Sequence, residues 1–224
     1  MGTELPAASA LLPAAGSGER LGLGPKALLQ LNGVSLLRTA ANALLQVAAQ
    51  LVIAAPAGLE DTFARDVPEA LVITGGASRQ DTVHRLLAAA AHDLVLVHDA
   101  ARPFLPEDVA RSVLLAAARS GAATAAVPVA DTLLRPADGV NVDRDGLLAV
   151  QTPQAFDRTL LLQAHERAAR EGWNATDDAA LGRRLGHATV TVPGSPWLFK
   201  ITHPADLQFA RGIAGAWQED DHAD

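Results

Sequence analysis

Cysteine is absent from the chain. Its absence excludes disulfides, thiol catalysis and thiolate-held zinc or iron–sulfur centres. No apolar run approaches the roughly 20 residues that a bilayer-spanning helix needs. Lysine and arginine never gather into a run, and the formal net charge is −7. Both facts argue against a general binder of nucleic acid or of anionic membranes. The first ten residues carry an acid and no basic residue, so no secretory leader is expected there. The expectation is a globular protein of the cytoplasm.

The chain has 224 residues, 49% of them hydrophobic, enough for one large core. One domain over 1–224 is therefore expected. An acidic chain that binds an anion must do so locally, with backbone amides, helix N-termini and a few placed cations.

Short apolar runs alternate with helical patterns through the first half. Strands are expected at 8–14, 51–55, 71–74, 94–98 and 123–127. Helices are expected at 36–45, from a Ser78 cap to about 91, and at 107–119 after Pro106. This rhythm implies right-handed βαβ units and a mainly parallel, twisted sheet flanked by helices. It breaks after Pro128. Residues 132–135 and 147–151 read as two short strands around the turn Pro136-Ala137-Asp138-Gly139, a β-hairpin excursion over about 132–151. Helices follow at 160–171 and 177–185, then a strand at 189–192 and a helix at 204–216 begun by Pro204. The acidic tail, 218–224, is expected to fray.

The segment from Leu11 to Lys26 carries most of the chemistry. It leaves the first strand at the sheet edge where open α/β folds bind ligands. Ala14, Ala15, Gly16 and Gly18 let the backbone approach phosphate oxygens, and Arg20 and Lys26 bring cations to them. A Walker A loop is excluded, because Pro25 precedes Lys26 and Ala27 follows it. Residues 22–27 fit G-x-G-x-x-A formally. However, Pro25 is poorly placed to open a helix and no strand directly precedes them, so a dinucleotide site is disfavoured.

This opening resembles the nucleotidyltransferases that activate sugars and polyols. It is similar in particular to the 2-C-methyl-D-erythritol 4-phosphate cytidylyltransferase family of the non-mevalonate isoprenoid pathway. The resemblance continues, in order, through Gly75-Gly76-Ala77-Ser78-Arg79 and Val97-His98-Asp99-Ala100-Ala101-Arg102-Pro103. It then runs through Pro128-Val129-Ala130-Asp131-Thr132, Gln151-Thr152-Pro153-Gln154, Thr176-Asp177-Asp178 and Lys200-Ile201-Thr202. It implies a Rossmann-like nucleotidyltransferase fold with the hairpin as a dimerisation arm. It implies Arg20, Lys26, Asp99 and Lys200 as catalytic residues. Ala14, Ala15, Gly16, Gly18, Gly75, Gly76, Thr82 and Ala100 would bind CTP. Arg102, Thr132, Arg144, Thr152 and Thr176 would bind the acceptor phosphate, Thr132 and Arg144 in the partner's site of a homodimer.

Asp99 ends the fourth strand beside the expected triphosphate. Such a carboxylate suits a magnesium ion or a pairing with Arg102, and the resemblance carries the metal reading. His98, a lone strand-end histidine, is given no role. Lys200 is expected at a strand end. Three other readings stay open: a cytidylyltransferase for another polyol phosphate such as ribitol 5-phosphate, a silent nucleotide-binding regulator on the same fold, and a dehydrogenase.

Overall fold

The computed structural model describes residues 4–16 and 24–220. In chain order the elements are β1 (Ala8–Pro13), β2 (Gln30–Leu31), β3 (Val34–Ser35), α1 (Leu36–Leu45), β4 (Gln50–Ala55), α2 (Glu60–Asp66), β5 (Leu71–Thr74), α3 (Arg79–Ala89) and β6 (Leu94–Val97). They continue with α4 (Glu107–Ser120), β7 (Ala122–Pro128), β8 (Leu133–Arg135), β9 (Val140–Val142), β10 (Leu148–Asp157), α5 (Arg158–Glu171), α6 (Asp178–Arg184), β11 (Val190–Pro193) and α7 (Pro204–Asp220). Short 3-10 turns occupy Lys26–Leu28 and Pro196–Leu198. No helix among the described residues is long and apolar enough to cross a membrane.

The main sheet has seven strands in the order β11-β7-β10-β6-β1-β4-β5. The β1, β4, β5 and β6 pairings are parallel, as is β11 with β7, and β10 runs antiparallel between β6 and β7. The mainly parallel expectation holds. Successive side chains of a strand point to opposite faces. In β1, accordingly, Leu12 joins the core beneath α1 and α4, and Leu11 the core beneath α3 and α5. Central strands buried on both faces must be apolar throughout, which is why they read as unbroken runs. A third cluster packs Leu207 and Ala210 of α7 on Leu31, Phe104 and Ile201.

Ser35, Ser78, Asp157 and Asp177 each accept a backbone N–H at the start of α1, α3, α5 and α6. Each satisfies one of the amides that a helix leaves unpaired. The β2–β3 hairpin and α2 escaped the periodicity, because two-residue strands and a two-turn helix span too little sequence to show it.

The excursion after β7 differs from its expected pairing. Residues 133–135 pair with β9, not with 147–151, and Gly139 takes the positive φ that closes the turn between them. Leu148–Val150 instead begins β10, pairing with the end of β7 before β10 enters the main sheet. A three-residue Val-Asn-Val strand is too short to signal itself.

Phe156 of β10 is fully buried in the second core. Phe156→Ala should destabilise the fold by about 3–5 kcal/mol, the cost of an aromatic-sized core cavity. Urea unfolding followed by circular dichroism measures it.

Candidate active site

β1 lies between β4 and β6. The chain builds outward from β1 through β4 to β5 and then returns to β6 on the opposite side. Strand order therefore reverses at β1, and a crevice opens at the carboxyl ends there. That crevice has a volume of about 580 Å³. Its described lining comes from residues 14–16 after β1, residues 76–79 and Thr82 at the start of α3, residues 99–101 after β6, and Lys26 and Lys200. The structure thus brings together Ala14, Ala15, Gly16, Lys26, Gly76, Thr82, Asp99, Ala100 and Lys200 of the expected set. Gly18 and Arg20 lie outside the described residues.

Gly75 permits the closest approach between two of these loops. A Cβ on Gly75 would stand 2.1 Å from the Cβ of Ala15, so no other residue fits without displacing the β1 loop. The Gly75 amide donates to Ala55 O, the Gly76 amide to Thr82 Oγ1 (3.0 Å) and the Ala77 amide to Asp81 Oδ2 (2.9 Å). Thr82 in turn donates to Ser78 O. These three amides are spent inside the loop, and the Gly75 carbonyl is spent on Arg85 Nη1, so among residues 75–77 the backbone acceptors left for a ligand are the carbonyls of Gly76 and Ala77.

Asp99 is the only acid among the described lining residues, which also include three cations, Lys26, Arg79 and Lys200. Lys200 Nζ lies 2.6 Å from Asp99 Oδ2, and Arg79 Nε 3.4 Å from Oδ1. Burial alone would raise the pKa of Asp99. Arg79 and Lys200 outweigh that effect and hold it well below the usual carboxylate range. The Arg102 pairing considered from sequence is not the one formed. Arg102 donates to Leu198 O instead, and its Nε is buried without a partner. Lys26 Nζ donates to Ile201 O at 2.8 Å. Lys200 sits in the loop after Pro196–Leu198, not at a strand end. The last strand stops at Pro193, and the Ile201 amide bonds to Ala101 O, fixing this loop over the crevice.

A buried chain of hydrogen bonds holds Asp99 from behind. Its amide donates to Thr152 Oγ1 at 3.1 Å. Thr152 Oγ1 lies 3.2 Å from His98 Nδ1, and His98 Nε2 lies 2.8 Å from the Arg102 carbonyl. The two ends settle the protons. A carbonyl only accepts, so Nε2 carries hydrogen. The Thr152 hydroxyl then donates to a bare Nδ1 while accepting from the Asp99 amide. His98 is therefore neutral, and burial pushes its pKa down to about 4. Sequence reasoning gave His98 no role; it is a buried strut behind Asp99.

The other motifs also find physical work. Gln151 spans β10 and the Ser195 backbone, donating to its carbonyl at 2.9 Å and accepting its amide at 3.1 Å. Gln154 accepts from the Ala179 amide at the start of α6. The register shift between Val150 and Gln154 places Thr152 under Asp99. Of the remaining acceptor candidates, Thr176 is exposed just before α6, and Thr132 and Arg144 are exposed on the excursion, where Arg144 bonds to Ala130 O. None of the expected acceptor residues, Arg102, Thr132, Arg144, Thr152 and Thr176, is among the described lining of the crevice. Sequence reasoning quoted Arg79 and Asp178 within their motifs but gave neither a role, and it missed His165. Arg79 Nη2 lies 2.8 Å from Asp178 Oδ2, and His165 Nε2 3.0 Å from Asp178 Oδ1. One signal was visible: an arginine on the first turn of a helix sits where the dipole disfavours a cation.

No group of three or more metal-ligating side chains occurs among the described residues. Magnesium shared with substrate phosphates needs only one or two carboxylates, so the ionised Asp99 fits a cation of that kind.

The profile of the 2-C-methyl-D-erythritol 4-phosphate cytidylyltransferase family matches residues 8–215. The chain belongs to that family. A 2-C-methyl-D-erythritol 4-phosphate cytidylyltransferase of Deinococcus radiodurans is 52% identical over 217 residues, covering 95% of this chain and 92% of the relative. One from Thermus thermophilus is 47% identical over 212 residues, covering 93% and 98%. A crystal structure of a Thermus thermophilus cytidylyltransferase of this name superposes with a TM-score of 0.83, covering 95% of this chain and all of that one at 43% identity. The nucleotidyltransferase fold expected from the glycine-rich opening is therefore the one found. The family favours neither the dehydrogenase nor the ribitol 5-phosphate reading.

His98 generates a stability prediction. The unfolded histidine takes a proton near pH 6.5, the folded one only near pH 4. Between these values the unfolded state binds more protons, so stability falls as pH drops through that window. Urea midpoints measured with chelator present should decline from pH 7 to pH 4.5, and His98→Gln should flatten the decline. An equal slope in the variant would remove His98 as its source.

Proposed function

We propose that this protein transfers CMP from CTP to 2-C-methyl-D-erythritol 4-phosphate, giving 4-diphosphocytidyl-2-C-methyl-D-erythritol and pyrophosphate. One observation carries the reading: in a chain of net charge −7, the described lining of the crevice holds three cations and a single, ionised carboxylate. That arrangement suits a polyphosphate, and the family supplies the nucleotide and the acceptor.

An oxygen of the acceptor's phosphate attacks the α-phosphorus of CTP. The bond from that phosphorus to the β-bridging oxygen breaks, and its electron pair leaves with pyrophosphate. An ionised phosphate is already nucleophilic, so the site needs no general base. Catalysis is then positioning and charge neutralisation. Lys26 and, from the same loop, Arg20 neutralise the α-phosphate and the departing pyrophosphate. Lys200, on a flexible stem and part-exposed, can pass from Asp99 to a phosphate oxygen. Asp99 would hold magnesium against the triphosphate, and the ion, when bound, supplies charge neutralisation there. Residues 14–16 and Ala100 border the nucleotide, and Gly75 and Thr82 shape the wall that reads its base. With its amides spent, that wall offers carbonyls, which accept from the amino group of cytosine and repel the carbonyl of uracil. Arg102 and Thr176 serve the acceptor side; Thr152, its hydroxyl given to His98 and to the Asp99 amide, supports Asp99 from behind instead of binding the acceptor.

The excursion makes a second subunit part of the reading. Leu134, Val140, Leu147, Leu148 and Val150 are all exposed on it, Leu134 by 58% and Val140 by 50%. A two-stranded hairpin with that surface has no core of its own. A homodimer with exchanged arms would cover it and carry Thr132 and Arg144 to the partner's acceptor site. The cytoplasm, where CTP is made, is the compartment that fits.

Pyrophosphate release, assayed with four nucleoside triphosphates against methylerythritol 4-phosphate and ribitol 5-phosphate, tests the reaction. Turnover should be strong only with CTP and methylerythritol 4-phosphate. Equal use of UTP or ATP would sink the base reading, and preference for ribitol 5-phosphate the acceptor reading. Subunit mixing tests the arm. Lys26→Ala and Arg144→Ala chains, each nearly inactive, should regain activity on exchange, because one site of each mixed dimer escapes both lesions. Activity that stays low after exchange, or a monomer in sedimentation, overturns arm exchange.

A further inference from the structure

Asp178 is 1% exposed, and no step of the transfer uses it. The preceding residue, Asp177, already caps α6, accepting from the Ala180 amide at 2.6 Å. Asp178 is therefore spare as a cap. Its two oxygens go elsewhere: Oδ1 lies 3.0 Å from His165 Nε2, and Oδ2 forms an ion pair 2.8 Å from Arg79 Nη2 without a hydrogen bond. Burying a carboxylate is costly unless it is paired.

Arg79 is shared unequally between two acids. It stands 2.8 Å from Asp178 as an ion pair, while its Nε donates a long hydrogen bond of 3.4 Å to Asp99. The guanidinium could do otherwise. Its planar fork suits two parallel bonds to one carboxylate, and its Nε already faces Asp99. Freed from Asp178, Nη2 could close such a pair and occupy the carboxylate that faces the crevice. The other cation on Asp99 is different in kind. Lys200 is 40% exposed on a flexible stem and can leave when phosphate arrives. Arg79, 33% exposed, is held between two acids at once, so its side chain has fewer places to go.

We propose that Asp178 is a positioning residue of the transfer site: by drawing Arg79 away from Asp99, it leaves that carboxylate able to accept a divalent cation. His165 fixes the second oxygen of Asp178 and so the direction of the pull. Asp178 touches neither substrate nor metal and acts only through Arg79. The inference rests on the reading of Asp99 as the metal-holding residue.

Mn2+ binding to the folded enzyme, read by electron paramagnetic resonance with CTP present and acceptor absent, tests it without turnover. Asp178→Asn should weaken Mn2+ roughly fivefold, the scale of coupling between charged neighbours in one network. Arg79→Gln should tighten it. The double variant should match Arg79→Gln within about twofold, because Asp178 has nothing left to restrain. Unchanged Mn2+ affinity in Asp178→Asn overturns the proposal. So does a double variant that carries the full loss of Asp178→Asn on top of the Arg79→Gln value. Should Asp178→Asn fail to fold, Arg79→Gln decides alone: unchanged or weaker Mn2+ binding overturns the proposal. Failure of the underlying reading looks different, since Asp99→Asn would then leave Mn2+ affinity untouched.

Discussion

A nearly buried carboxylate must be compensated, and the compensation of Asp99 organises everything around it. Its charge is opposed by Lys200 at 2.6 Å and Arg79 at 3.4 Å, while its amide is tied to Thr152. Those partners come from α3, β10 and the loop ahead of α7. A single ionised side chain thereby draws three separate parts of the fold to one strand end. Without it, the crevice would hold a cluster of like charges with no reason to stay together.

The support behind Asp99 is neutral where the front is ionic. The Arg102 carbonyl and the Asp99 amide fix the protons of the chain through His98 and Thr152, leaving each group one role. A neutral strut adds no charge to a site whose work is to balance charge. It also explains how histidine tolerates complete burial here. Both ring nitrogens are satisfied in the uncharged form, and the cost of burial falls only on the protonated one.

The excursion after β7 obeys a different logic from the sheet. The seven strands bury alternate faces under helices, and their apolar residues disappear into two cores. The excursion displays its apolar residues instead, because β8 and β9 have only each other to pair with. A surface of that kind suits contact with another chain better than contact with water. The excursion's Thr132 and Arg144 thus stay exposed, away from the described lining of this chain's crevice.

The sequence by itself determined what local burial and turn chemistry determine. Unbroken apolar runs placed β1, β4, β5 and β6, the serine before Arg79 placed the start of α3, and the small residues after β1 marked the edge at which the crevice opens. It named Lys26, Asp99 and Lys200 as well, because their motifs are local. Only the tertiary structure decided what those residues meet. Asp99 and Lys200 are 101 positions apart and Thr152 lies 53 beyond Asp99, separations across which no periodicity carries information. Arg79, Asp178 and His165 were invisible as a set for the same reason: each looks like a surface charge or a helix residue until α3, α5 and α6 converge. The partner of β8 was misjudged because three residues give too little pattern to choose between neighbours. Spacing along a chain reports which face of an element is buried; which charges face each other follows from how the elements pack.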